Sequence, residues 1–235
     1  MNQTRALILG GGGPAATAWE TGVIAGLAGG NVNLATADLV VGTSGGAVVA
    51  AQITSGVPMS VLFERQVDPG KQVQEEKPAM TLDEVVQEMY AIQRASTSAL
   101  DMRRRFGAFA LTMDRAPKMR TAGFKRAVVA QRLLVHHWPD QRLVIVAVDA
   151  NSGEPSFFDR GSGVELIDAV TASCAAPGAW PTHPIGTRHF VDGGLRSNDN
   201  ADVAVGFKKV FILSPHGGTI DMPSEWEMDL ASALQ

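Results

Sequence analysis

The residues best suited to chemistry are a serine and an aspartate, each set among glycines. Ser44 lies in "GTSGGA" (42–47), directly behind the run "DLVV" (38–41). The pattern G-x-S-x-G places a serine on a strained strand-to-helix turn, where side chains at the flanking positions, here Gly42 and Gly46, would collide with the neighbouring elements. The hydroxyl then stands at the carboxyl edge of a sheet, where open α/β sheets bind ligands. Asp192 closes the run "RHFVD" and precedes Gly193 and Gly194, so its carboxylate also sits at a sheet edge with nothing bulky behind it. A carboxylate within hydrogen-bond reach of a serine can take its proton. Asp192 also suits the commoner role of a turn-forming aspartate before two glycines.

A third group of residues could complete such a site. "LILGGGGPAATAWETG" (7–22) puts consecutive backbone N–H groups at a helix start, a place that favours negative charge. One reading is an oxyanion hole, with amides aimed at the charge that develops on an attacked carbonyl. The other is a dinucleotide fingerprint opened by Gly11 and Gly13. Against the second, Ala16 stands at the third glycine position, and the next strand ends in the serine turn in place of a ribose-binding acid. A P-loop is excluded, because no Lys-Ser/Thr pair follows. Of the five histidines only His216 follows Asp192, so in the usual order of serine, acid, histidine it alone could close a triad.

These residues need a frame that brings distant stretches together. Ala6–Leu9 and the run 38–41 read as short buried strands, each followed by a glycine turn and a helical stretch, Pro14–Gly29 and Ser44–Thr54. In the first helix Ala18, Gly22, Ile24 and Leu27 are expected to face the sheet. Strand character returns at 142–150, 155–159, 188–192 and 209–213, with a helix at Gly163–Ser173. This alternation predicts an α/β protein with a central, mostly parallel sheet. At 235 residues and 45% apolar composition, a single domain over 1–235 with a buried core is expected. Residues from about 59 to 134 break the alternation and predict a helical insertion, with Leu82, Val85, Val86, Met89 and Ile92 at helical spacing. A last amphipathic helix, ending without a cap, is predicted over Glu225–Gln235.

Four blocks occur in order: "GGGGPAATAWETGV", "GTSGGA", "ASCAAPG" (172–178) and "VDGGLRS" (191–197). Together they resemble the patatin-like phospholipases over nearly the whole chain, from Leu7 to about Pro215. The resemblance implies a three-layer α/β/α sandwich and a lipid acyl hydrolase in which a serine–aspartate dyad works without histidine or cofactor. It assigns Ser44 as nucleophile, Asp192 as its base, and Gly11, Gly12 and Gly13 as the oxyanion hole. The "ASCAAPG" block would shape the site, with Pro177 setting the bend. The chain departs from the family at Pro14–Ala16, where many members carry a basic residue after the glycines and a further glycine. That departure leaves the charge preference for substrate open. The alternatives are a catalytically silent lipid-binding or scaffold module on the same frame, and the dinucleotide-dependent oxidoreductase.

The expected partner is a lipid or other acyl ester, and the net charge of −4 gives no global attraction to nucleic acid. Residues 103–126 hold eight basic residues against one acid, Asp114, so they could touch an anionic membrane or cap the fold by pairing with the acidic stretch 64–88. The polar start Met1–Arg5 and the broken apolar run behind it predict neither a secretory leader nor a spanning helix, which favours a cytoplasmic setting. Cys174, the single cysteine, is read as a small buried residue, and Trp19, Trp138 and Trp180 as core or pocket wall. No histidine spacing suggests a metal site.

Overall fold

The apolar runs pair into one sheet. The computed structural model describes residues 4–217, so the helix expected at Glu225–Gln235 lies outside the described residues. In chain order the strands are β1 (Arg5–Leu9), β2 (Leu39–Thr43), β3 (Arg142–Asp149), β4 (Pro155–Phe158), β5 (His183–Ile185), β6 (Arg188–Asp192) and β7 (Lys209–Leu213). The strand order is β5-β6-β3-β2-β1-β7, with β4 paired to β3. The four strands β7, β1, β2 and β3 run parallel. β4, β6 and β5 join antiparallel. β5, only three residues long, has no sequence signal of its own.

The helices are α1 (Gly13–Gly29), α2 (Gly45–Ile53), α3 (Met59–Val67), α4 (Leu82–Ala95), α5 (Ala99–Met113), α6 (Ala122–Arg132) and α7 (Leu166–Ser173). Alternation along the strands divides the core into two layers. Leu7, Leu9 and Val40 pack with residues of α1, α2 and α7 on one face. Ala6, Ile8, Leu39 and Val41 face the other side, under a short 3-10 turn at Ala201–Ala204. Over β3 and β6, α5 extends that second layer through Ala110, against Val148 and Val191.

Two details differ from the sequence reading. α1 buries Ala16, Thr17, Glu20, Thr21 and Ile24, while Ala18 and Leu27 are exposed. The small residues Ala16 and Thr17 allow a close approach to α2, where Thr17 Oγ1 donates to the Gly45 carbonyl at 3.2 Å. That approach turns Glu20 fully inward. Trp19, expected in the core or a pocket wall, is half exposed on the opposite face.

The insertion is built by local signals. α4, α5 and α6 begin at Thr81, Ser98 and Thr121, whose hydroxyls accept N–H bonds from the first turn. At α4 the Glu84 carboxylate reaches back to the Thr81 N–H, completing a reciprocal cap.

Candidate active site

Ser44 has φ 53° and ψ −119°, a positive φ that costs a non-glycine residue about 1–3 kcal/mol. The packing around it explains why the chain adopts this turn. A Cβ at Gly42 would lie 2.6 Å from Ala47 Cα, and one at Gly46 would overlap the Leu9 carbonyl. α2 therefore folds tightly back on β2 and β1, and Ser44 is left between strand and helix with its side chain at the sheet edge.

The register of β3 places the acid beside it. Thr43, the last residue of β2, pairs with Val146, and Asp192, the last residue of β6, pairs with Ala147. Two strands far apart in sequence thus end on consecutive residues of a third. Ser44 Oγ donates to Asp192 Oδ2 at 2.8 Å, and the Gly194 N–H donates to Asp192 Oδ1 at 2.8 Å. Gly193 packs directly on the Val146 carbonyl, which keeps this approach close. Burial pushes the Asp192 carboxyl up to about 6, while the Gly194 amide, the Ser44 hydroxyl and the Lys125 charge pull the other way.

A bracket from the last residue of α7 and the two that follow holds both partners. The Ser44 N–H donates to Ser173 Oγ at 2.8 Å, and the Cys174 thiol donates to the Ser44 carbonyl at 3.1 Å. The Asp192 N–H donates to the Ala175 carbonyl at 3.1 Å. Three consecutive residues, 173–175, fix the backbone of serine and acid relative to each other. The sequence block "ASCAAPG" pointed to this segment but not to Ser173 as the residue that receives the strained amide. Burial pushes the Cys174 thiol up to about 11, so this sulfur stays protonated and acts as a donor. Pro177 is buried in the turn that follows and lines the pocket.

The glycine-rich turn divides its amides. The Gly11 N–H, expected in the oxyanion hole, donates to the Asn198 carbonyl at 2.8 Å and is thereby occupied. A Cβ built on Gly11 would stand 3.4 Å from Ser44 Cβ, so the turn lies against the serine. Gly12 and Gly13 precede the first complete turn of α1 and, among the described residues, their N–H groups have no protein partner. Gly45, the residue after Ser44, opens α2 in the same state. The amide after a nucleophilic serine is a common oxyanion donor, a signal available in the sequence but not used in reading it.

Ser44, Asp192 and Gly11–Gly13 line one pocket of about 300 Å³. Phe106 and Leu195 form an apolar wall, and Val85 and Met89 of α4 stand at its side. Lys125 and Trp180 also line it. Among the described residues no histidine hydrogen-bonds to Ser44 or Asp192. His136 and His137 bond to backbone carbonyls, His183 to Asp168 and His189 to Thr182, while His216 is exposed near Gly12. Among those residues no group of three His, Cys, Asp or Glu side chains could hold a metal ion. None of their helices is long and apolar enough to cross a membrane.

The basic segment is largely bound within the molecule. Arg103 and Arg104 donate to the carbonyls of Gly153 and Ser152, and Arg105 pairs with Asp101. Arg126 pairs with Glu165 and Asp168, and Arg120 lies 3.7 Å from Glu76 of the acidic stretch.

A family model described as Patatin-like phospholipase matches residues 7–205. No curated protein matches the chain. Among solved structures, VipD from Legionella pneumophila is 12% identical with a TM-score of 0.45, over 83% of this chain and 46% of its own. The type III effector protein ExoU is 17% identical with a TM-score of 0.38, over 99% of this chain and 51% of its own. The chain thus spans about half the length of each of these proteins.

Proposed function

The chain belongs to the patatin-like phospholipase family, and on that premise we propose that it hydrolyses acyl esters of lipids through Ser44 and Asp192. The observation that carries this reading is the 2.8 Å hydrogen bond from Ser44 Oγ to Asp192 Oδ2, made by a serine on a strained turn. As Ser44 Oγ attacks the ester carbonyl, Asp192 Oδ2 takes its proton. The carbonyl oxygen becomes an oxyanion, which the unpartnered amides of Gly12, Gly13 and Gly45 in the same pocket would stabilise. The tetrahedral adduct collapses, the C–O bond to the alcohol breaks, and Asp192 returns the proton to the leaving oxygen. Water then attacks the acyl-serine, giving a proton to Asp192; the bond from the acyl carbon to Ser44 Oγ breaks, Asp192 returns the proton to Oγ, and the free acid departs. Positions 173–175 hold both reacting groups still, which supports a proton transfer between residues 148 apart in sequence.

An apolar pocket wall suits an acyl chain, and among the described residues Ser44 and Asp192 bond to each other with no histidine between them, which supports the two-residue form. Labelling with a fluorophosphonate, followed by peptide mapping, tests the reading. Wild type is expected to carry the label on the Ser44 peptide, Ser44→Ala to carry none, and Asp192→Asn to react far more slowly. An unlabelled wild type that also turns over no ester would leave only a lipid-binding frame.

A further inference from the structure

One side chain in the pocket takes no proton and forms no bond in the chemistry above, acting on Asp192 only through its charge. Lys125 comes from α6 in the helical insertion, and of the eight basic residues in 103–126 it alone is buried, at 5% exposure. Its ammonium lies 3.7 Å from the centre of the Trp180 ring, and Trp180 follows Pro177 on the turn that shapes the site. Among the described residues Lys125 forms no ion pair and no hydrogen bond. The other cation of the pocket, Arg132, is already tied to Glu75 at 2.7 Å. The carboxylates of Asp192 and Glu75 line the same pocket and attract Lys125 without pairing with it. Burying an ammonium without a direct ion-pair partner is unfavourable, and an indole face recovers only part of the loss. A cation held this way toward a cavity is prepared to meet an anion that arrives from outside.

The sequence lacks a basic residue directly after its N-terminal glycines, where Pro14, Ala15 and Ala16 stand. Lys125 brings a positive charge to the same pocket from the insertion. We propose that Lys125 is the specificity-determining residue of this site and holds a phosphoryl group carried by the acyl ester, so that phosphate-bearing lipids are selected over neutral ones. This inference rests on the hydrolase reading of Ser44. It assigns the insertion a chemical role, since a charge delivered by α6 distinguishes substrates that the dyad treats alike.

The test compares 1-oleoyl lysophosphatidate with 1-monooleoylglycerol, which share acyl chain and glycerol and differ by the phosphate. Both are presented to the full chain below their aggregation concentrations. Wild type is expected to favour the phosphate ester in kcat/KM by roughly tenfold or more. In Lys125→Met that ratio should collapse toward one, chiefly through KM, and in Lys125→Arg most of it should survive. A ratio that Lys125→Met leaves unchanged, including an equal loss on both substrates, overturns the proposal and marks Lys125 as acting through Asp192.

Calorimetric binding to Ser44→Ala separates this inference from the hydrolase reading. Lysophosphatidate bound by Ser44→Ala and lost in Ser44→Ala/Lys125→Met supports the subsite even if wild type hydrolyses neither lipid, a result that would sink the hydrolase reading alone. Turnover of monooleoylglycerol without any phosphate preference sinks the subsite alone. Inorganic phosphate binding as tightly as lysophosphatidate would point to free phosphate and overturn the lipid assignment.

Discussion

The turn region around Ser44 and the helical insertion 59–134 meet at one pocket but are held in opposite ways. Around Ser44 the backbone is bound on every side. Ser173 and Cys174 take its N–H and carbonyl, Ala175 holds Asp192, and Gly42 and Gly46 leave no room for a side chain. All nine residues of α2 are buried. In the insertion, α4 buries only Ile92 and is secured by its own cap and by packing on α5. The first region fixes reacting atoms to within hydrogen-bond tolerance. The second encloses a cavity and contributes side chains to it. On the proposed reading, chemistry and selection fall to parts of the molecule that are held to different degrees.

If that division holds, the largest effect belongs to the dyad. Ser44→Ala and Asp192→Asn are each expected to lower kcat/KM on any acyl ester by about 10⁴-fold or more, with circular dichroism unchanged. His216→Ala should stay within about threefold of wild type, because that side chain is exposed and bonds to neither residue. Loss of activity in a folded His216→Ala would replace the dyad with a triad.

The pH dependence is next in size. Asp192 accepts a proton only when ionised, and burial has raised its carboxyl to about 6. With monooleoylglycerol, kcat/KM should therefore fall about tenfold for each unit below about 6 and level off above it. A plateau that continues down to the ordinary range of an exposed carboxylate would mean that the serine–aspartate contact is not the working base.

Within the tightly held region one group works against stability. Glu20 is fully buried on α1, neither of its oxygens has a hydrogen-bond partner of good geometry, and burial pushes its carboxyl up to about 9, the Gly10 amide pulling the other way and the nearby Asp199 adding to the rise. A pKa raised on folding means that the folded state keeps a proton the unfolded chain gives up. Stability from this group is full below the unfolded value near 4.5 and is lost as pH climbs toward 9. Glu20→Gln, which cannot titrate, should gain on wild type as pH rises, by about 3 kcal/mol near neutrality. Equal denaturant midpoints for the two proteins at pH 5 and pH 8 would show that Glu20 reaches water.

Much of the tight region was legible in the sequence. Ser44, Asp192 and their glycines stand out because only glycine tolerates such close backbone contact, and the buried runs that become β1, β2 and β3 carry no polar side chain until the buried Thr43 and Asp149 that end β2 and β3. What stayed hidden depends on which groups face each other across the fold. The commitment of the Gly11 amide to Asn198, the acceptance of the Ser44 amide by Ser173, and the inward turn of Lys125 are all long-range pairings with no local pattern. The arginines of 103–105 could be read as a membrane face or as a cap pairing with acidic residues, because charge alone does not reveal the carbonyls of Ser152 and Gly153 that two of them reach. Glu20 was missed for a related reason, since the packing of α1 follows the small residues Ala16 and Thr17 and not the larger apolar ones.

The smallest expected effect lies on α4, and it bears most directly on the contrast between the two regions. Leu82, Val86, Met89 and Tyr90 form a stripe at helical spacing that is largely open to solvent, with Leu82 at 76% exposure. A side chain that leaves little water on folding contributes little to stability, so Leu82→Ser should shift the unfolding free energy by no more than about 0.5 kcal/mol. Val49→Ser on α2, at 0% exposure, removes apolar contacts and buries a hydroxyl, and should cost several-fold more. The same asymmetry predicts faster hydrogen exchange in α4 than in α2, because a helix secured by one cap and one neighbour opens without disturbing the sheet. Similar protection in the two helices, together with a large cost for Leu82→Ser, would mean that the insertion is as firmly held as the serine turn. The separation of selection from chemistry would then need a cause other than rigidity.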